Sequence, residues 1–290
     1  MHLKNVGSHW LRRYAVLVAC CTFVLVIAGG LVTSNDAALS VPDWPLSWGH
    51  LVPTLEGGIR YEFAHRVAAI LVGLLTVGLA VWVRRDRLAG AFACQHLAWA
   101  AVAVVVAQAA LGGLAVRFVT PAWATIAHAS LGQLFFALTV AICVRLYSRV
   151  DGTWAAPTLI CTVGLFAQTI LGAGVRYGVV AAVAHIAGAV GATILVMWAA
   201  LSILMLQMDN PKLRRPAMLL LGITFSQVFL GIAAMMTRIV YADAPQPMPA
   251  MVLFTVAHVA VGSLALGAAV ALAMLVRPGV FLADGGQVTA

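Results

Sequence analysis

Apolar residues run through this chain in long uninterrupted stretches and do not alternate with polar ones. Segments free of Asp, Glu, Lys and Arg extend from Tyr14 to Asn35, Val67 to Val83, Leu88 to Val116 and Phe118 to Val144. Four more run from Gly152 to Val175, Tyr177 to Met208, Pro216 to Thr237 and Ala244 to Val276. Each reaches or approaches the roughly 20 apolar residues that a spanning helix requires. A transmembrane barrel is excluded, because its strands alternate polar and apolar residues over about ten positions. The pattern predicts an all-α integral membrane protein of eight transmembrane helices joined by short connections.

A phrase recurs at the ends of the odd helices. The third carries Gln108, Leu111, Gly112 and Gly113, then Arg117. The fifth carries Gln168, Leu171, Gly172 and Gly174, then Arg176; the seventh carries Gln227, Leu230 and Gly231, then Arg238. The first has a weaker form, Gly29-Gly30-Leu31-Val32, without the Gln or the Arg. Each phrase precedes an even helix with a histidine near its start: His65, His128, His185 and His258. The unit is therefore a helix pair used four times. The repeat predicts two pseudo-symmetric four-helix bundles, residues 1–150 and 151–290, related about an axis along the membrane normal. The small residues allow close approach of helices or of a flat ring.

The charge distribution supplies an orientation. The chain has 290 residues, 63% hydrophobic and 9% charged, against about 25% charged in soluble domains. Lys4, Arg12, Arg13, Arg84, Arg85, Arg87, Arg145, Arg149, Lys212, Arg214, Arg215 and Arg277 all fall on one side of the eight-helix pattern. These should face the cytoplasm, with both termini there. The net charge of +8 is then a topology signal, and no nucleic-acid partner is expected. The first apolar run exceeds the usual h-region of a signal peptide and lacks a clear small-x-small cleavage site, so it is expected to stay as a helix. Cys20, Cys21, Cys94, Cys143 and Cys161 read as small apolar helix residues. No C-x-x-C-H occurs, so covalent haem attachment is not expected.

Histidine inside a bilayer is costly and marks function. Four at equivalent places in four repeats point to ligation. Iron takes imidazole well, and four-helix bundles hold haem between facing helices. The natural pairs are His65 with His128 and His185 with His258. Zinc fits less well, since it prefers a compact tetrahedral ligand set and each bundle offers two histidines without a nearby Cys or repeated carboxylate. His2, His9, His50 and His96 lack repeat partners and read as solvated.

Arg117, Arg176 and Arg238 oppose the charge bias, and Arg66 directly follows His65. Arginine pairs carboxylates in bidentate fashion, so these four are candidates for haem propionates; anchoring of helix ends is the alternative. Glu62 lies three residues before His65, on the same helical face, and has no counterpart in the other repeats. It could accept protons or position water beside a haem edge, or cap the start of the second helix.

Taken with Gly29-Gly30-Leu31-Val32, the segment from Val41 to Gly49 (VPDWPLSWG) and Glu62-Phe-Ala-His65-Arg66 closely resemble the haem A synthase family. The resemblance runs from about Tyr14 to Arg277. It implies an eight-helix membrane oxidoreductase that converts the C8 methyl of haem O, through an alcohol, to the formyl group of haem A for terminal oxidases. It further implies a substrate haem O site at His65 and His128 in the first bundle, with Glu62 as a catalytic residue, and a haem b for electron transfer at His185 and His258 in the second. The implied setting is the bacterial inner membrane. The implied partners are haem O, membrane lipid, a haem O synthase, terminal-oxidase assembly factors and an electron donor or acceptor. Many bacterial members flank the Pro-Asp-Trp-Pro-Leu segment with two cysteines; here Val41 and Ser47 stand there. Thr33 stands where an arginine often follows Gly-Gly-Leu-Val.

Two rivals are weighed. A di-haem b-type electron carrier without oxidase activity would place haems near both faces, whereas all four histidines fall in the outer half. A transporter built on parallel repeats would show broken helices or intramembrane carboxylates, and neither pattern is evident.

Overall fold

A computed structural model describes residues 8–86, 94–117, 121–148, 155–277 and 280. His2, Lys4, Arg87 and Arg149 of the charge pattern lie outside the described residues. Among the described residues there are eight long helices and no strands: α1 (His9–Ser34), α2 (Ile59–Arg85), α3 (Gln95–Arg117), α4 (Ala122–Tyr147), α5 (Ala156–Arg176), α6 (Ala182–Leu206), α7 (Pro211–Val240) and α8 (Pro249–Leu275). All eight are long and apolar enough to cross a membrane, and the chain is a multi-pass membrane protein.

Helix ends follow local rules. Ser8 caps α1 by accepting from Leu11 N at 3.2 Å, which satisfies one of the unpaired first-turn donors. Prolines open α5, α7 and α8, where the missing N–H costs nothing. Within the spans, hydroxyls return their protons to their own helix: Thr22 to Val18 O, Thr76 to Val72 O, Thr224 to Leu220 O and Ser263 to Val259 O. Each of these four hydroxyl protons is thereby satisfied within its own helix.

The helices pack in two closed rings. α1–α2–α3–α4 each touch the next, and α4 returns to α1; α5–α6–α7–α8 repeat this, with α8 returning to α5. The rings join through α4 against α8, with α1 against α8 and α4 against α5. The last two contacts exchange under the twofold that relates the rings. α2 and α6 are peripheral and pack mainly against their two ring neighbours, whereas α4 and α8 are central.

Tight packing concentrates at one end of each ring. Leu11, Val18, Leu79, Val83, Ile142 and Leu146 form one buried cluster. Val196, Ile203, Leu220 and Leu272 anchor its counterpart, and Ala137, Ala141, Leu266 and Val270 seal α4 against α8. These clusters lie at the end remote from the four histidines. At the histidine level, glycines of the odd helices face the imidazoles.

Candidate functional site

The repeated glycines receive the histidines. A Cβ placed on Gly29 would stand 3.1 Å from His65 Cε1, and one on Gly172 would stand 3.1 Å from His185 Cε1. The corresponding separations are 2.9 Å for Gly231 and His258 and 3.6 Å for Gly112 and His128. In all four helix pairs, the even-helix histidine ring thus lies against the backbone of the odd helix at the same register. The sequence reading left the role of these glycines open; they make room for the imidazoles.

The glutamine four residues before each glycine was noted in the sequence only as part of the phrase. Gln108 Nε2 donates to His128 O at 2.7 Å. Gln168 Nε2 donates to His185 O at 2.8 Å and lies 2.9 Å from His185 Nδ1. Gln227 contacts both ring nitrogens of His258, with its side-chain nitrogen 3.3 Å from Nε2 and its backbone oxygen 3.2 Å from Nδ1. A second glycine on three of the even helices accommodates the amide: Gly132 against Gln108, Gly188 against Gln168 and Gly262 against Gln227.

The histidines meet in pairs. His185 and His258 have ring centroids 6.2 Å apart and planes at 84°. A metal–imidazole bond of about 2 Å plus about 1.1 Å from nitrogen to ring centre puts two imidazoles on one ion with centroids ~6 Å apart. The second pair therefore fits a single shared iron. His65 and His128 lie within electrostatic reach of each other. Nδ1 of His65 and of His128 is buried without a hydrogen-bond partner, as is Oε1 of Gln108, Gln168 and Gln227. Among the described residues no group of three or more His, Cys, Asp or Glu is placed to hold a metal. Two protein ligands per site is the donor set of a haem, whose ring supplies the rest.

Glu62 and Arg66 form one unit in the first turns of α2. Their side chains approach to 2.5 Å, at 7% and 14% exposure. Glu62 does not cap α2; Gly58 holds that position, without a side-chain bond. Its Oε2 instead accepts from Val41 N at 2.9 Å. Arg66 donates to the carbonyls of Asp43 at 2.8 Å, Leu46 at 3.1 Å and Val41 at 3.2 Å. The pair thereby grips the segment from Val41 to Leu46 against the start of α2. Trp44 from that segment stacks on α3, its Cδ2 3.2 Å from where a Gly113 Cβ would stand. Val41 and Ser47 are both buried.

Asp43 closes the same loop on itself, accepting from Trp48 N at 2.6 Å and Gly49 N at 2.8 Å. The Gly49 and Trp48 donors, helped by the Arg66 charge and opposed by some desolvation, hold its carboxyl below its ordinary value of 3.8. A depressed folded-state pKa adds stability that is present above the unfolded value and is lost as pH falls through the folded value. Protection of the loop against proteolysis should therefore persist as pH drops to 3.8 and fade only below it. Asp43→Asn should remove that acid transition.

At the junction of the two rings, Arg176 donates to the Thr33 carbonyl and stands 3.5 Å from Asp36 Oδ1. Arg238 makes no hydrogen bond to another described residue. It lines a small cavity of about 40 Å³ with Ser34, Asp36, Arg176, Met251 and Thr255. Arg117 ends α3, and its side chain lies outside the described residues.

The fold and these contacts define a class: a membrane protein of paired helix hairpins that presents two histidine pairs at one end. No protein-family model matches the chain. The sequence is similar to haem A synthases from Methylobacterium radiotolerans (33% identical, 51% of this chain and 44% of the relative), Symbiobacterium thermophilum (31%, 47% and 44%) and Caulobacter vibrioides (32%, 48% and 43%). The chain thus spans less than half the length of these curated relatives in the matched region. Over the matched half, the chain is similar in sequence to haem A synthases.

Proposed function

We propose that the protein oxidises the C8 methyl of haem O to a formyl group, with haem O held by His65 and His128 and a haem b by His185 and His258. The observation that carries this reading is the fourfold register of histidine on glycine, broken by a buried carboxylate at one pair only. A reaction confined to one bundle needs such an asymmetry; a symmetric electron carrier does not. Haem supplies the metal-centred redox chemistry that no side chain offers to an unactivated methyl.

The chain's own residues hold and shield. His65 with His128, and His185 with His258, would each hold an iron through one ring nitrogen, the other nitrogen then carrying the proton. Gln168, whose side-chain nitrogen lies 2.9 Å from His185 Nδ1, is placed to orient that ring, the role a partner of a metal-ligating histidine plays. Trp44 and its loop exclude water above the first pair. Glu62, anchored by Val41 N–H and Arg66, is the acceptor for protons released at the substrate methyl. Arg238 is the first candidate for a propionate, with Arg176 beside it in the second bundle and Arg66 and Arg117 in the first. Residues 1–150 form the substrate half and 151–290 the haem b half. The basic ends face the cytoplasm of a bacterial inner membrane, with both termini inside. Haem O, which carries an apolar tail, enters laterally from lipid, handed over by a haem O synthase. Terminal-oxidase assembly factors receive the product, and a separate electron donor or acceptor completes the cycle.

The test is expression with a haem O source, followed by extraction and chromatography of bound haems. Haem A accumulates if the reading is right; haem O recovered unconverted beside haem B sinks it and favours the di-haem carrier. Glu62→Ala should keep its haem and lose conversion.

A further inference from the structure

Three of the four histidines have a glutamine bonded to them, at the ring for His185 and His258 and at the backbone carbonyl for His128, and the fourth has none. The register position of Gln108, Gln168 and Gln227 is filled in α1 by Leu25, four residues before Gly29. The second glycine is missing with it: Gly132, Gly188 and Gly262 follow their histidines by three or four residues, where α2 has Ala68 and Ala69. Glutamine and glycine occur together three times and are absent together once, as expected if the glycine exists to seat the amide. The cradle itself is unchanged, since Gly29 meets His65 at the same distances as Gly172 meets His185. The difference is therefore confined to the missing glutamine and its glycine. His65 Nδ1 is buried with no side-chain partner and only the Leu25 backbone carbonyl near it. A leucine side chain can neither fix the tautomer nor raise the basicity of the ring.

Position in the ring adds to this. His128 and His258 stand on the central helices α4 and α8, wedged by contacts from both rings. His65 and His185 stand on the peripheral helices α2 and α6. His185 offsets that exposure with two bonds to Gln168. His65 alone combines a peripheral helix with no side-chain support.

We propose that His65 is the exchangeable axial ligand of the first pair, so that the iron face on the α2 side admits a small exogenous ligand while the second pair stays closed. This rests on the haem-binding reading above. His128 is then the permanent anchor of the substrate. Exchange breaks one Fe–N bond and forms one bond to the incoming ligand, with no change in redox state.

Carbon monoxide is the probe, titrated into the dithionite-reduced full-length protein with both sites loaded. One CO should bind per chain. Leu25→Gln with Ala69→Gly should install the missing support and weaken CO binding about tenfold or more, the usual scale for a supporting partner of a metal ligand. Gln168→Leu should conversely open the second pair and raise the stoichiometry to two. His65→Ala should retain haem in the first site, while His128→Ala should lose it. Protein that takes up no haem overturns the haem-binding reading and this one with it. Haem present in both sites with no CO uptake, or CO uptake indifferent to the Leu25 and Ala69 changes, overturns this inference alone. Haem content and unfolding temperature of each variant separate these outcomes from misfolding.

Discussion

Arg66→Met should destabilise the protein by about 3–5 kcal/mol, the scale for removing one partner of a buried ion pair. Glu62 would be left as a carboxylate at 7% side-chain exposure with a single donor, Val41 N. The carbonyls of Val41, Asp43 and Leu46 would lose their shared donor at once. The effect should be local first. Proteolysis within residues 41–46 and amide exchange in that segment should rise before the helices melt, because no spanning contact is removed. Glu62→Gln in the same background should recover part of the stability by removing the stranded charge. It should not recover conversion of haem O, since an amide accepts no proton there. Full stability in Arg66→Met alone would show that the loop is held by something other than the pair.

Gly231→Leu should empty the second pair of haem and leave the first loaded. The first atom of any added side chain would stand 2.9 Å from His258 Cε1 and 3.3 Å from Nδ1, and the rest of leucine has nowhere to go but into the ring's place. Overpacking of this kind costs about 1–3 kcal/mol, and the ring on α8 can relieve it by leaving the ligand position. Haem content should fall from two to one per chain by pyridine haemochrome. The control is Gly73→Ala in α2, where a Cβ meets nothing within 4 Å and haem content should not change. Loss of both haems from Gly231→Leu would mean that the two sites do not load independently.

The spans were readable because length and the absence of charge decide what crosses a membrane, and neither depends on neighbours. The four histidines were readable for a related reason: a repeat shows itself without knowledge of contacts. Glu62 was readable from the helical face it shares with His65, and Arg66 from its place beside that histidine. Their targets were not, because three loop carbonyls converge on one guanidinium only through the path of the chain from Val41 to Leu46. The same limit hid the glutamines. Their bonds cross from odd to even helices, and the rotation of one helix against the next is not written in either. Arg176 illustrates the point most sharply. The sequence placed it at the end of α5 in the second bundle, and its bond partners are Thr33 and Asp36 of the first.

That last contact has an evolutionary reading. Counted from the shared glycine, Thr33 stands four residues after Gly29 and Arg176 four residues after Gly172, so the two are images of each other under the internal twofold. Residues that meet their own image lie on or near the axis. In a perfectly duplicated ancestor an arginine there would face an identical arginine across a few ångströms of poorly hydrated space. Keeping one and surrendering the other to threonine turns a repulsion into a bond with a helix-terminal carbonyl. The halves have in this way become complementary instead of equal: two copies of the second would restore the clash, and two copies of the first would lose the bond.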